Sequence, residues 1–300
     1  MNHEHGAEHD HGHGHGHGQE HGHGHGHGHG HGHGHGHGHG HGHGHGMADI
    51  LDLDAQVVAQ HTASITAWLP VDQPRRIVDL GAGTGAGTFA LLEQFPEAHV
   101  TAADADVDHL TRLRDKACEL GLADRVSTVQ ADLDTEWPDL GTPDLVWASA
   151  SMHHMADPDR VLRQVHDTLA PGGLFAVVEL AGFPRFLGTE LEERIHAASD
   201  SRHAELMPHR GADWGPKLTA AGFTVEGERT VTIHVKQSEV VGRYALTSLQ
   251  RMRGTVVDVL SAEDLAALDD LLDPDSPTGL LLRDDLVVRS ERTVWAARKA

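Results

Sequence analysis

From residue 75 onward, the apolar positions of the chain alternate between short continuous runs and helical repeats. The continuous runs have the length and composition of buried strands and cover residues 76–80, 99–104, 126–130, 145–148 and 174–180. Amphipathic helical repeats separate them, and the repeat after Asp157-Pro158 begins with an N-cap residue and a proline at the first helical position. Because buried strands joined by helices form a parallel sheet covered on both faces, the pattern predicts a doubly wound α/β fold.

The segments on either side of this core have looser patterns. Before it, residues 47–74 are predicted as a short strand-like lead and then a helix that ends before Pro70. After Leu180, a polar segment rich in His and Arg precedes a helix near 214–221 and a strand over 223–235. We therefore divide the chain into four parts: a tail (1–46), a helical lead (47–74), a core (75–182), and a segment (183–300) that holds a helical insertion (239–272) and closing strands, the last over 286–297.

The first 46 residues differ in composition from everything that follows. They hold 20 of the 30 histidines and 18 of the 35 glycines, mostly in alternation. Such a segment has nothing apolar to bury, and glycine loses the most entropy on ordering, so we expect a disordered tail. Neutral imidazoles on a flexible chain chelate Zn, Ni or Cu, and residues such as His21, His23 and His25 are candidate non-specific ligands.

Charge and the content of cysteine limit the possible partners and compartment. Of the net charge of −22, the tail contributes −4 and the remainder −18. An acidic body provides no basic field for phosphate backbones, so we expect no nucleic acid partner. The single cysteine excludes an internal disulfide, and the chain has neither an apolar run of membrane-spanning length nor a secretory n-region and h-region. These features predict a cytoplasmic protein without a membrane partner, and they leave the oligomeric state open.

Three glycines and three aspartates mark the ends of successive predicted strands. Gly81, Gly83 and Gly85 follow the first strand, where a tight turn lets a ligand approach the backbone closely. Taken alone, this turn also fits a relaxed form of the glycine pattern found in dinucleotide-binding proteins. Asp79 lies inside the strand, where a carboxylate suits an ammonium group and would repel a pyrophosphate. Asp104, at the end of the second strand, can accept hydrogen bonds from ribose hydroxyls. Asp132-Leu133, after the third strand, can accept from an adenine amino group and pack on the ring.

These motifs resemble those of class I S-adenosylmethionine-dependent methyltransferases of the small-molecule type, similar to quinone-biosynthesis C-methyltransferases. The similar segments are 77–85, 100–105, 129–133, 144–154 and 169–174. The resemblance implies a Rossmann-like seven-stranded sheet whose last strand is antiparallel, with S-adenosylmethionine as the cofactor. It assigns cofactor binding to Asp79, Gly81, Ala82, Gly83, Thr84, Gly85, Asp104, Ala105, Asp132, Leu133 and Ala148.

Methyl transfer from a sulfonium is an in-line displacement, which requires alignment and a dry pocket more than acid–base groups. A base is needed only where the acceptor must lose a proton. His153 and His154 follow the fourth strand at the mouth of the expected cleft, and either imidazole suits that role. The acceptor is expected to be a small molecule bounded by 181–214 and 239–272. The sequence does not distinguish O-, N- and C-methylation.

Three other functions stay open at this point. A nucleotide-dependent oxidoreductase uses a related sheet and glycine turn. A metal-storage or metal-delivery protein would place its function in the tail, on a body without catalysis. An RNA methyltransferase is disfavoured by the acidic body.

Overall fold

The computed structural model describes residues 44–204 and 207–300. The predicted tail ligands His21, His23 and His25 lie outside these residues. The strands are β1 (Arg76–Leu80), β2 (His99–Asp104), β3 (Val126–Gln130), β4 (Leu145–Ser149), β5 (Leu174–Leu180), β6 (Phe223–Lys236) and β7 (Val287–Lys299). The α-helices of the described part are α1 (Gly44–Trp68), α2 (Ala86–Gln94), α3 (Val107–Glu119), α4 (Pro158–Thr168), α5 (Glu190–His203), α6 (Gly215–Ala220), α7 (Glu239–Val256) and α8 (Ala262–Leu272).

The strands form one seven-stranded sheet in the order β3-β2-β1-β4-β5-β7-β6. β1 to β5 pair in parallel, and β7 lies antiparallel between β5 and β6. The predicted α/β class, seven strands and antiparallel last strand are therefore confirmed. Because β1 to β4 are parallel neighbours, the loops after them meet at one edge of the sheet, which we call the carboxyl edge.

Side chains of alternate residues pack on opposite faces of the sheet. On one face, Val78, Val146 and Phe175 pack with α4 and α6. On the other, Ile77, Leu145 and Ala176 pack with the end of α1 and with α2. A further cluster joins α1, α5, α7 and α8 over the ends of β6 and β7. No helix in the described part of the chain is both long and apolar enough to cross a membrane.

The N-terminal segment differs from its prediction. The expected strand-like lead is helical, because Ile50, Leu53 and Val57 recur at helical spacing and pack together against α7. The same helix starts at Gly44 and so includes Gly44–Gly46, which were predicted within the tail. Adding a residue to the end of an existing helix costs far less than nucleating one, so a packed helix can extend by a turn into a segment of poor helix formers.

Two further helical predictions need correction. The segment predicted as helical over 239–272 is two helices, α7 and α8, interrupted between Val256 and Ala262. The polar segment before residue 214 contains α5, which the sequence pattern did not indicate. This helix buries polar Glu192, His196 and Ser199 beside Ile195, so its buried face carries no apolar stripe.

Candidate functional site

The glycine turn connects β1 to α2 at the carboxyl edge. Gly81, Gly83 and Gly85 all have positive φ, at 66°, 54° and 94°. A Cβ atom on Gly81 would lie 2.4 Å from the Cβ atom of Ser151, so a side chain there would displace the loop after β4. The backbone N–H groups of Gly81 and Ala82 both donate to the carbonyl of Ala103 on β2, at 2.8 and 3.0 Å. The turn is thus fixed to the neighbouring strand and is restricted to glycine by both conformation and space.

Asp104 brings the end of β2 against this turn. Its carboxylate accepts from the backbone N–H of Gly83 at 2.8 Å and from that of Asp106 at 2.9 Å. The imidazole of His109 is 3.5 Å away. These hydrogen bonds outweigh partial burial and hold the pKa of Asp104 below its usual value, while Asp104 raises the pKa of His109. Asp104 therefore presents an ionised carboxylate beside the turn, with lone pairs left to accept further hydrogen bonds.

Asp79 lies beneath the turn and is 2% exposed. The hydroxyl of Thr88 on α2 donates to its carboxylate at 2.7 Å. Burial raises the pKa of Asp79 to about 7, against the opposing effect of the Thr88 hydrogen bond. Asp79 is close to the turn but sealed by protein, and its contact with an ammonium group stays a prediction.

The predicted residues after β2, β3 and β4 occupy different environments. Asp132 is exposed and accepts from the backbone N–H of Asp134 at 3.0 Å. Leu133 is 5% exposed and belongs to the main core, so little of its side chain is free to pack on a ring. Ala148 is fully buried at the end of β4, Ala105 is exposed, and Thr84 is buried within the turn. Their contacts with a cofactor stay predictions.

The loop after β4 carries the two candidate histidines. Ala150 has a φ of 51°, which is unusual for a residue other than glycine and marks local strain. The hydroxyl of Ser151 donates to the carbonyl of Leu80 at 2.8 Å, which fixes this loop to the end of β1. Strain beside a cofactor turn is typical of a functional segment.

Glu179, near the end of β5, holds both the backbone and one imidazole of this loop. Its carboxylate accepts from the backbone N–H of Met152 at 2.8 Å and lies 2.6 Å from Nδ1 of His153. Glu179 and His153 are only 3% and 5% exposed. His154 is exposed, and its ring lies 4.1 Å from that of His153. The pKa of His154 is lowered mainly by partial desolvation and, to a smaller extent, by the neighbouring His153. The two histidines are thus brought to the expected edge, one anchored and one at the surface.

Helix α1 covers the glycine turn, a contact that the sequence analysis missed. A Cβ atom on Gly83 would lie 3.1 Å from a methyl carbon of Leu51. Arg112 on α3 pairs with Asp49 at 2.7 Å and with Asp52 at 3.2 Å, which fixes the same turns of α1 beside the site. These contacts join residues about 60 positions apart, so no local pattern could have indicated them.

A metal centre is not part of this edge. Within 44–204 and 207–300, no group of three or more His, Cys, Asp or Glu side chains is placed to hold a metal ion.

Comparison with known proteins agrees with the geometry. Residues 78–175 match the model of a family described as a methyltransferase domain. A trans-aconitate 2-methyltransferase from Methylobacterium nodulans is 32% identical over 186 residues, which are 57% of this chain and 66% of that protein. A 27-O-demethylrifamycin SV methyltransferase from Amycolatopsis mediterranei is 27% identical over 220 residues, 65% of this chain and 80% of that protein. The chain spans less than two thirds of the length of several curated relatives that it matches.

Among solved structures, the YcgJ protein of Bacillus subtilis superposes with a TM-score of 0.51, covering 80% of this chain and 98% of the other. At 15% identity this likeness shows the fold alone. The family match goes further, because residues 78–175 include the glycine turn and the strand ends described above. Residues 78–175 therefore form a methyltransferase domain of this chain, and the curated relatives that it resembles are methyltransferases.

Proposed function

We propose that this protein transfers a methyl group from S-adenosylmethionine to a small-molecule acceptor. The observation that carries the proposal is the 2.8 Å hydrogen bond between the backbone of Gly83 and the carboxylate of Asp104. It joins the glycine turn and the acidic end of β2 into one unit, which is where the family resemblance expects the ribose of the cofactor. The family to which the relatives belong supports the same reaction.

The residues at the carboxyl edge suit this cofactor. Gly81, Gly83 and Gly85 hold the turn in a tight left-handed conformation, with neighbouring side chains packed against it. Asp104 is ionised and can accept from the ribose hydroxyls, and Asp132 is exposed where it can accept from the adenine amino group. When bound, the cofactor supplies an electrophilic methyl group on a sulfonium. Leu51 of α1 lies over the turn and would exclude water from it.

His153 is our candidate for the base, where the acceptor must lose a proton. Its Nδ1 atom is held by Glu179, and a proton on that nitrogen leaves Nε2 free to accept another. Glu179 is then a positioning residue, because it fixes the ring and the loop backbone without facing the acceptor itself. His154 is the second candidate, since its lowered pKa keeps the exposed ring neutral near pH 7.

Calorimetry with S-adenosylmethionine tests the proposal. We expect Asp104→Ala to weaken binding by roughly 10-fold or more, because hydrogen bonds to a charged group contribute about 1.5–3 kcal/mol. Asp115→Ala, an exposed aspartate on α3, is the matched control and should bind as the wild type does. Unchanged affinity in Asp104→Ala would contradict the ribose placement. Tight NAD binding without S-adenosylmethionine binding would instead support the oxidoreductase alternative.

We also propose that the His-Gly tail chelates Zn, Ni or Cu without fixed geometry and takes no part in methyl transfer. A variant that lacks residues 1–43 should lose metal binding and keep its turnover. Loss of turnover would support the metal-delivery alternative. We also propose a cytoplasmic location. With 45 acidic against 23 basic residues, the protein is proposed to act on small molecules rather than on nucleic acids.

A further inference from the structure

A cavity of about 430 Å³ lies at the carboxyl edge, beyond the end of β5. The side chains that matter for its chemistry are Phe183, Arg185, His196, His234, Arg289 and Glu291. Its volume lies within the range of small-ligand sites. β1, β4 and β5 are parallel neighbours, so this cavity opens at the same sheet edge as the glycine turn. The spacing of strands places β5 about 10 Å from β1.

Two arginines that line this cavity are direct neighbours on adjacent backbone segments. Arg185 and Arg289 form an isolated antiparallel bridge, with backbone hydrogen bonds of 2.9 and 2.8 Å between them. Like charges placed directly opposite are unfavourable unless a negative group lies nearby. Arg185 has such a group, because its guanidinium is 2.8 Å from the carboxylate of Glu193. Arg289 forms no ion pair with a carboxylate of residues 44–204 and 207–300, although Glu291 lines the same cavity.

The loop before α5 is shaped around the guanidinium of Arg289. Gly188 has a φ of 68°, and a Cβ atom there would lie 3.1 Å from Nη1 and 3.2 Å from Nη2 of Arg289. Glu192 accepts from the backbone N–H groups of Leu187 and Gly188, which holds this loop in place. The guanidinium therefore packs on a fixed backbone and is oriented before any ligand arrives.

His196 lines the same cavity and has a buried polar atom without a partner. It is 2% exposed, and its Nε2 atom has no hydrogen-bond partner in the described part of the chain. Burial and the nearby Arg185 lower the pKa of His196, so the ring is neutral at physiological pH. A buried ring nitrogen without a partner costs free energy, which a ligand atom could recover.

The remaining walls include an aromatic side chain and two carboxylates, one of them in an ion pair. Phe183 offers a ring face, stabilised from behind by the guanidinium of Arg210 at 4.4 Å. Asp200 also lines the cavity, but it pairs with Arg210 at 2.7 Å. Glu291 is the carboxylate that opposes an anion, and it is exposed, where solvent screens it.

We propose that this cavity is the acceptor site and that it takes a small carboxylate with an apolar portion. Arg289 and Arg185 bind the carboxylate, Nε2 of His196 forms a hydrogen bond with the ligand, and Phe183 packs against its apolar part. The assignment of this ligand as the methyl acceptor rests on the function proposed above, whereas the recognition of an anion rests on the cavity alone.

Calorimetry of the full chain with phenylacetate and with its neutral isostere phenylacetamide tests the inference. We expect wild type to bind the acid at least roughly 10-fold more tightly than the amide, and Arg289→Gln to weaken binding of the acid by about 10-fold. Glu291→Gln should strengthen it by roughly two- to threefold, the size of an exposed charge interaction. Arg243→Gln, an exposed arginine on α7, is the matched control and should change nothing.

Equal affinity for acid and amide, or an unchanged affinity in Arg289→Gln, would overturn the inference. Arg289→Lys keeps the charge and should retain most of the binding, which separates recognition from a folding defect. S-adenosylmethionine is titrated into the same samples. Cofactor binding without Arg289-dependent acid binding refutes only the acceptor site. Arg289-dependent acid binding without cofactor binding refutes the proposed methyl transfer and leaves the anion site standing.

Discussion

Replacement of Asp79 by Asn should change the stability of the protein in a manner that depends on pH. Asp79 is 2% exposed beneath the glycine turn, and burial raises its pKa from 3.8 to about 7. In the unfolded chain the carboxyl group ionises at its ordinary value. Between the two values the folded state holds a proton that the unfolded state releases, so stability falls as pH rises through this window.

The size of the effect follows from the shift. The pKa of Asp79 differs by about 3 units between the folded and unfolded states, and each unit corresponds to 1.36 kcal/mol. Above about pH 7, ionised Asp79 therefore lowers the free energy of unfolding by roughly 4 kcal/mol. At about pH 5 only roughly 1.5 kcal/mol of this cost is present, because the folded group is still protonated. Asp79→Asn removes the titration, so its stability relative to wild type should rise by roughly 2–3 kcal/mol between about pH 5 and about pH 8.

Urea unfolding of both proteins at the two pH values measures this difference. The buried amide of Asn needs hydrogen-bond partners of its own, which changes the stability of the variant by the same amount at both pH values. The test is therefore the difference between the two pH values, not the stability change at either one. Thr88→Val, which removes the hydrogen bond that favours ionised Asp79, should shift stability in the opposite direction at the higher pH. An Asp79→Asn effect that is the same at both pH values would refute the assignment of a raised pKa.

Three further substitutions test contacts that hold the site in place. Glu192→Gln should lower the free energy of unfolding by roughly 1–3 kcal/mol in urea, because its buried carboxylate accepts from three successive backbone N–H groups. Asp54→Asn should lower it by about 3–5 kcal/mol, because Arg292, 8% exposed, loses the charge that it contacts at 2.6 Å. Glu179→Gln should lower kcat by up to roughly 100-fold and leave the KM for S-adenosylmethionine unchanged, because His153 loses the group that orients it.

Exposed residues of the same type serve as controls for these changes. Glu190→Gln, whose side chain is 98% exposed, should leave stability unchanged within about 0.5 kcal/mol. Asp72→Asn, on the loop before β1, should behave in the same way. A Glu179→Gln enzyme with wild-type kcat across the pH profile would remove His153 and Glu179 from the mechanism.

The core strands could be predicted from sequence to within a residue or two. Runs such as 76–80 and 174–180 are mostly apolar and buried, and glycines lie next to or near their ends, so burial on both faces fixes where they end. Helix α5 could not be predicted, since Glu192, His196 and Ser199 on its buried face are polar, so the face lacks the apolar repeat that indicates a helix. The first turns of α1 were missed for a related reason, because their helical state depends on packing against α7.

The candidate site, like the fold, could be predicted from the sequence only in part. Strand ends place Asp79, Gly81–Gly85 and Asp104 at one edge, and topology alone brings them together. The periodicity of apolar residues does not indicate which side chains at the strand ends are buried and which are exposed. Asp79 and Leu133 are therefore more buried than their predicted contacts suggest. The pairing of Tyr244 with Asp54 joins residues 190 positions apart, which no motif of a single chain can reveal.

The position of β7 between β5 and β6 has a consequence for how the protein is made. β7 is the last strand in the chain, yet it lies inside the sheet, between β5 and β6, rather than at an edge. During synthesis β5 can pair with β4, but the backbone groups on its other edge have no partner until more than a hundred further residues have left the ribosome. Such non-local pairing slows folding, and an unpaired apolar strand is prone to aggregate. The nascent chain should therefore depend on chaperones most while residues 181–286 are being added.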